Sequence, residues 1–545
     1  VTVLGNTGGL TKTGYTFDGW NAAENGSGTS FVAGTGTFII SSNTTLFAKW
    51  KIKTYTLSYA GNGNTGGTAP ADVTLDSNTL ATVAANTGSL SKTGFDFNGW
   101  NTGADGSGTA LASGATFRIK SDTTLYAQWT VKKYTLTISA PVNGTVNLSG
   151  NVSVDSNVTT AITAAAANGF RFKCWRVTSG SAIIADTTVT STTVKLTQGN
   201  ATIKAVFGCI TFEKVIDDNI THNAITQGND GSYHFVGITR NSDDISSPVV
   251  KKLDSQGNVV GTKTYGYGNY DYILNSIKAT SDGNLIMGGT YSGMMNITRI
   301  SQNLNLLESI SYGEKMNGSF ALETKSGSYV LGGGSPSCII QMPYLQGESQ
   351  TSFIGTCGYF IDGQELNDGG FILIGDDYNE FEIARTDANA KVLWEKSYAD
   401  LALYRGKCIR QTTDGGFIAG GTGYSSTYCD VLVKISSNGT VLWQKTNPLG
   451  TGDIRSVRQT ADGGFIYVST TEALGNGETD IYLVKTDSNG EITWFKTFGT
   501  SKFERARSLE LTKDGGFIIL GAASIELYAD KCYVIKTDEN GNVEK

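Results

Sequence analysis

An all-β chain is predicted, in which three small β-rich tandem repeats lead into a seven-bladed β-propeller of four-stranded blades. Three observations predict it. Between Ile454 and Gly499, four apolar-alternating runs, SVRQT, FIYVSTT, DIYLVKT and EITWFKT, are separated by the turn-forming stretches ADGG, EALGNGET and DSNG, the pattern of a four-stranded antiparallel meander. One such sheet cannot bury both its faces, and the pattern recurs before and after it at intervals of 42 to 52 residues, so neighbouring sheets are expected to cover one another. Upstream lies a different repeat, whose first two copies place Trp20 and Trp100 80 residues apart. The boundaries that follow are 1–52, 53–131 and 132–208 for the three repeats and 209–545 for the propeller.

In the N-terminal part, Gly14-Tyr-Thr-Phe-Asp-Gly-Trp20-Asn21 recurs as Gly94-Phe-Asp-Phe-Asn-Gly-Trp100-Asn101, and Thr45-Leu-Phe-Ala-Lys-Trp50 as Thr124-Leu-Tyr-Ala-Gln-Trp129. A looser third copy carries Gly169-Phe-Arg-Phe-Lys-Cys-Trp175 and Ala201-Thr-Ile-Lys-Ala-Val-Phe207. Alternation of period two in YTLTI, TLYAQW and TVKLT makes strands of these segments, and the one helix-like stretch is the Ala-rich 160–168. A large aromatic at the same place in each copy reads as a core anchor. These units resemble the Listeria–Bacteroides, or internalin B-type, repeats of bacterial surface proteins, the third as a divergent form. That resemblance implies a small β-grasp-like module used in tandem as a stalk, with no catalytic residue to carry over. Aligning Val3-Leu-Gly-Asn-Thr-Gly with Val83-Ala-Ala-Asn-Thr-Gly puts the first copy's opening strand, the counterpart of Tyr55–Tyr59, upstream of Val1. Either the sequence is a fragment, or an open groove offers an unpaired edge through which copies could self-assemble.

In the C-terminal part, a D-G-G-F-I-type turn marks seven units at Asp230, Asp282, Ser326, Asp368, Asp414, Asp462 and Asp514. Trp394, Trp443 and Trp494 occupy one position of three units. The last unit lacks a counterpart of Ile492–Thr497, and Ile210–Val215 supplies it, closing the ring with a strand from the other end. This half resembles secreted bacterial and archaeal proteins with DGGFI repeats. The resemblance implies secretion and a propeller scaffold, and no particular activity.

Candidate binding residues follow from propeller geometry, in which two sets of loops share one face. On them lie Tyr267, Tyr270, Tyr272, Tyr359, Phe360, Tyr404, Arg405, Tyr424, Tyr428, Phe503 and Arg505, residue types suited to gripping protein or glycan. Lys407, Arg455 and Arg507 each stand seven residues before a D-G-G aspartate and would ring a mouth of the channel as an anion site. A basic position, Lys251, Arg299, Arg385, Lys434, Lys485 and Lys536, repeats in the third strand and reads as structural. Asp487-Ser-Asn-Gly490 and Asp538-Glu-Asn-Gly541 begin like calcium loops but sit between strands, so they read as hairpin turns, and no metal is expected.

Composition narrows the function. A net charge of −7 without a concentrated basic surface argues against nucleic acid. No run approaches the roughly 18 apolar residues of a transmembrane helix. Seven dispersed cysteines lack C-x-x-C spacing, and their pairing is undetermined. With two histidines and no hydrolase motif, the chain is expected not to be an enzyme and to need no cofactor. The expected function is an extracellular or cell-surface protein whose stalk presents the propeller to a protein or glycan on another surface. The alternatives are a structural subunit of an extracellular fibre or sheath, and a secreted glycan-active enzyme using paired loop aspartates among Asp217, Asp218, Asp243, Asp244, Asp376 and Asp377.

Overall fold

In the computed structural model every regular element is a β-strand, and there is no helix among the described residues. The description excludes 217–219, 267, 314–315, 335–336, 343–349, 354–358, 378–379, 399–402, 425–426, 527–528 and 545, and the side chains of 350–351, 353, 376–377, 380, 403–404, 525–526 and 529–530. The chain divides into two compact units, Val1–Ala165 with Phe172–Val206, and Ala166–Arg171 with Phe207–Lys545.

In the first unit, each copy is built around the strand that carries the repeated tryptophan. In the second copy, Phe95–Asn101 pairs antiparallel with Thr123–Val131, which pairs parallel with Thr54–Ala60. Trp100 is 1% exposed, and its indole N–H donates to the Ala84 carbonyl at 3.0 Å. The following Asn101 is buried too, its amide donating to Gly106 and Gly108 carbonyls while its oxygen accepts the Gly103 N–H. Asn21 repeats that loop staple in the first copy. Glycine precedes Trp20 and Trp100 because φ is +108° at Gly19 and +99° at Gly99. The first copy forms a three-stranded sheet from Ser30–Phe31, Tyr15–Asn21 and Phe47–Ile52. The third copy corrects the helix-like reading of 160–168: Thr159–Ala166 is a strand paired with Ser191–Lys195. Its Ile162 and Ala164 alternate inward beside β-branched threonines, and burial on a pleated face overrides alanine's helix preference.

Among the described residues the second unit contains seven four-stranded antiparallel sheets, numbered here in chain order. Six are consecutive meanders. The seventh takes Phe503–Leu511, Phe517–Glu526 and Ala529–Thr537 from the end of the chain and Phe212–Ile216 from its start, with Lys214 opposite Val534. An apolar cluster fills the space between each adjacent pair of sheets. One of these joins the seventh sheet to the first, through Phe212, Tyr233, Phe235, Ile518 and Val534. The ring of sheets therefore closes on itself around a channel lined by the first strand of every sheet. Trp443 and Trp494 lie against the turn glycines Gly490 and Gly541 of the next sheet, where an added Cβ would come within 2.8 and 2.7 Å of the ring.

An aspartate holds the inner turn in six of the seven sheets, and Ser326 takes its place in the third. A threonine two residues earlier donates to Asp282, Asp414, Asp462 and Asp514 at 2.5–2.6 Å, and the N–H two residues later also donates to them. The recurring third-strand cation completes the set, pairing Arg299 with Asp282, Arg385 with Asp368, Lys434 with Asp414, Lys485 with Asp462 and Lys536 with Asp514. In the first sheet the partner of Asp230 is Lys252, at 2.9 Å, one residue beyond the Lys251 that the sequence alignment selects. Burial opposes ionisation of Asp282 and Asp414, yet these hydrogen bonds hold both carboxyls at about 2.

Candidate functional site at the channel mouth

Counting back from each D-G-G turn places side chains in layers down the channel. Four residues before the turn stand Lys278, Gln364, Arg410, Arg458 and Glu510. Glu510 is gripped by Arg458 at 2.8 and 3.1 Å and by Lys278 at 2.5 Å, across three different sheets. Arg410 pairs with Asp362, which also accepts the Ile409 N–H. Burial would raise the Glu510 carboxyl, but the two cations keep it well below the usual range. Burial in turn lowers the Lys278 ammonium, against the pull of Glu510. The channel holds about 600 Å³ at this level.

Seven residues before the turn, the layer is split. Sheets one to four present Asn223, Asn275, Ser319 and Ile361, with Asn223 and Asn275 donating to the Leu274 and Gly318 carbonyls of the next sheet. Sheets five to seven present Lys407, Arg455 and Arg507. Arg405 and Arg505, nine residues before their turns, join them around a cavity of about 380 Å³. Tyr428 lines the same cavity, whose only carboxylates among the described lining residues are Asp453 and Glu472. Arg455 grips Asp453 with two contacts of 2.8 Å.

The loop-face residues separate into those brought to this end and those that are not. Tyr424 and Tyr428, each 56% exposed, meet edge-to-face at 5.3 Å. Tyr359 lines the channel, and Tyr270 and Phe503 are exposed. Tyr272 and Phe360 are corrections: both are core. Tyr272 is 1% exposed and its hydroxyl is engaged with Asn296, Thr298 and Ser309, because it opens the strand Tyr272–Ala279 on the inward side of the pleat. Phe360 occupies the same inward side of Tyr359–Glu365 and packs between the third and fourth sheets. Tyr267, Asp217 and Asp218 lie outside the described residues, as do the side chains of Tyr404, Asp376 and Asp377. Asp243 and Asp244 sit in a tight exposed loop, Asp244 paired with Arg240 at 2.9 Å. Among the described residues no three His, Cys, Asp or Glu side chains are placed to hold a metal ion.

Sequence reasoning missed the charged layer four residues before each turn, although the same D-G-G reference that located Lys407, Arg455 and Arg507 indexes it. It also missed Asp430, which is 1% exposed, accepts from Ser469 and Gly452, and is raised by burial to about 7.

Comparison with known proteins bears on both units. Residues 2–49 and 55–128 match the Listeria-Bacteroides repeat domain, and 134–211 match the divergent InlB B-repeat domain. A provisionally named Gly-rich membrane protein of Evansella cellulosilytica is 35% identical over 168 residues, which are 30% of this chain and 19% of that protein. A second membrane protein of that organism, also provisionally named, is 43% identical over 94 residues, 17% of this chain and 14% of its own length. The chain thus spans less than a fifth of these relatives. No helix of the described residues is long and apolar enough to cross a membrane, which leaves strands out of account. Among solved structures, a catalytically inactive virginiamycin B lyase from Staphylococcus aureus with quinupristin is 13% identical, covering 60% of this chain and 99% of its own, at a TM-score of 0.45. The WD40 β-propeller domain of Doa1 is 14% identical, covering 60% and 97%, at a TM-score of 0.42. The expectation that the chain is not an enzyme is corrected: the solved structures to which the chain is similar include an enzyme, this lyase.

Proposed function

We propose that this chain is part of a surface-associated protein in which three tandem repeats carry a closed seven-bladed propeller, and that the channel-mouth end of the propeller recognises a ligand on another surface. The observation that carries the reading is convergence. Tyr359, Arg405, Tyr428 and Arg505, chosen as loop residues, and Lys407, Arg455 and Arg507, chosen as channel residues, line one channel and the cavity at its mouth. Exposed aromatic and arginine side chains around a concavity are the usual anchors of recognition surfaces. Repeats of a kind found on bacterial surface proteins support the location. The test is binding of the full chain to matrix- and cell-surface preparations, comparing the parent with a Tyr428→Ala/Arg505→Ala variant of unchanged melting temperature. Binding reduced at least tenfold supports the reading, and equal binding contradicts it.

A further inference from the structure

We infer that Met295, Met316 and Cys338 form a binding site for one soft monovalent metal ion, Cu(I) or its analogue Ag(I), between the second and third sheets of the propeller.

Three sulfur atoms converge there from three different segments. Met295 lies in the third strand of the second sheet, Met294–Ile300, and Cys338 in that of the third sheet, Ser337–Met342. Met316 lies between Leu306–Tyr312, which ends the second sheet, and Gly318–Glu323, which begins the third. The Cys338 Sγ stands 3.6 Å from the Met295 Sδ and 3.9 Å from the Met316 Sδ. A thiol has one proton, so it can donate to only one of these thioethers at a time, and each is a weak acceptor. A metal ion at the centre bonds all three. With metal–sulfur bonds of about 2.3 Å, trigonal coordination sets the sulfurs about 4 Å apart, and two edges of the triangle are already close to that length.

The blade pattern does not account for these sulfurs. In register, Cys338 corresponds to Val249, Asn296, Glu382, Val431, Tyr482 and Tyr533 of the other sheets, none of them a thiol. All five methionines of the chain fall within 287–342, so thioethers are concentrated on the two sheets that meet at this cysteine. Gly313, at φ +71°, leaves room for one of them, since an added Cβ would come within 2.9 Å of the Met316 Sδ.

Charge and softness then select the ion. Met295 and Cys338 are 0% exposed and share their cluster with Ile286, Ile297, Ala321 and Ile340. Burial among such groups pushes the Cys338 thiol up to about 11. A monovalent ion takes the place of the thiol proton, which leaves to water, and the thiolate with its ion is neutral overall, as apolar surroundings require. A divalent ion would leave one uncompensated positive charge there, and Zn(II) would meet three sulfurs where it takes four ligands. Thiolate and thioether donors favour Cu(I) over harder ions. The flexible methionine side chains can close on the ion, and Met316, only partly buried, gives it a way in.

Titration of the full chain with Cu(I), without oxygen and in competition with a chromophoric Cu(I) chelator, tests this, with Ag(I) as a second probe that needs no reductant. The expected result is one tight equivalent, lost in Cys338→Ala and weakened about tenfold or more in Met295→Leu and in Met316→Leu. The leucine variants conserve volume and keep every cysteine, so they separate this site from the other thiols of the chain. Selenomethionine-labelled protein should show selenium neighbours in copper X-ray absorption. The ion should raise the melting temperature of the parent by several degrees and leave that of Met295→Leu unchanged. Zn(II) should not displace it. Absence of a tight equivalent overturns the inference, as does Cu(I) binding that both leucine variants leave unchanged or that shows no selenium neighbour. Displacement by an equal amount of Zn(II) overturns the assignment of a monovalent ion.

Discussion

At the scale of the residue, the least expected group is Asp430. Its Oδ1 accepts the Ser469 hydroxyl at 2.5 Å and the Gly452 N–H at 3.2 Å, while Oδ2 has no hydrogen-bond partner among the described residues and faces Gly450. Burial, with repulsion from Asp453, raises the carboxyl to about 7, against the lowering effect of its hydrogen bonds. In the unfolded chain it titrates near 3.8. The folded state therefore holds its proton more tightly. Stability from this group is complete below the unfolded value, declines as pH rises between the two, and is lost above the folded one. Asp430→Asn should change stability little at pH 4 and raise it by about 2–4 kcal/mol at pH 8, read from urea denaturation at both pH values. A pH-independent difference would contradict that environment. A second residue-level contrast concerns two versions of one ion pair. Asp514 and Lys536 are 1% and 0% exposed, whereas the Asp462 side chain is 64% exposed. Asp514→Ala strands a buried ammonium and should cost about 3–5 kcal/mol. Asp462→Ala also takes the carboxylate from a buried ammonium, Lys485, 8% exposed, but on a side open to water, and should cost less, about 1–2 kcal/mol by the same measurement.

At the scale of the element, the first strands of five of the seven sheets also tie their sheet to its predecessor. Three residues before the turn, Glu323, Glu365, Gln411 and Gln459 accept the N–H of Ser281, Lys325, Asn367 and Thr413 from the preceding sheet. Gln227 of the first sheet accepts the Lys513 N–H of the seventh at 2.9 Å, so the same bond closes the ring. Gln227→Ala should cost about 0.5–1.5 kcal/mol and speed hydrogen exchange at Lys513 specifically. Much of this was legible. The D-G-G turns, the hairpins of Asp487 and Asp538 and the tryptophans follow from local rules, because turn dihedrals and strand alternation are written in neighbouring residues. Asp487 and Asp538 each accept two backbone N–H groups of their own turn. What was not legible depends on partners distant in sequence. The glutamine that ties two sheets looks like any surface glutamine until its neighbour is placed. The alanines of Thr159–Ala166 resemble a helix until Ser191–Lys195 pairs with them. The inward turn of Tyr272 and Phe360 was hidden because one residue of strand register decides which face a side chain takes.

At the scale of the whole molecule, closure couples the ends of the second unit. Phe212–Ile216 and Ala529–Thr537 lie far apart in sequence yet pair along their length, and Phe212, 7% exposed, fills the apolar cluster between the seventh and first sheets. Phe212→Ala should cost about 3–4 kcal/mol and loosen the seventh sheet before the fourth, a difference visible in residue-resolved exchange. Closure also brings dispersed positions to one mouth, since no single sheet supplies more than two of its five cations. The central claim, that the propeller binds through this mouth, is tested most directly by hydrogen exchange of the full chain, free and bound to the surface it recognises. Protection should appear at Leu403–Gln411, Ser456–Gln459 and Phe503–Leu511 and in the loops that lead into them. Protection confined to the N-terminal repeats, or to the D-G-G turns at the other ends of these strands, would contradict it.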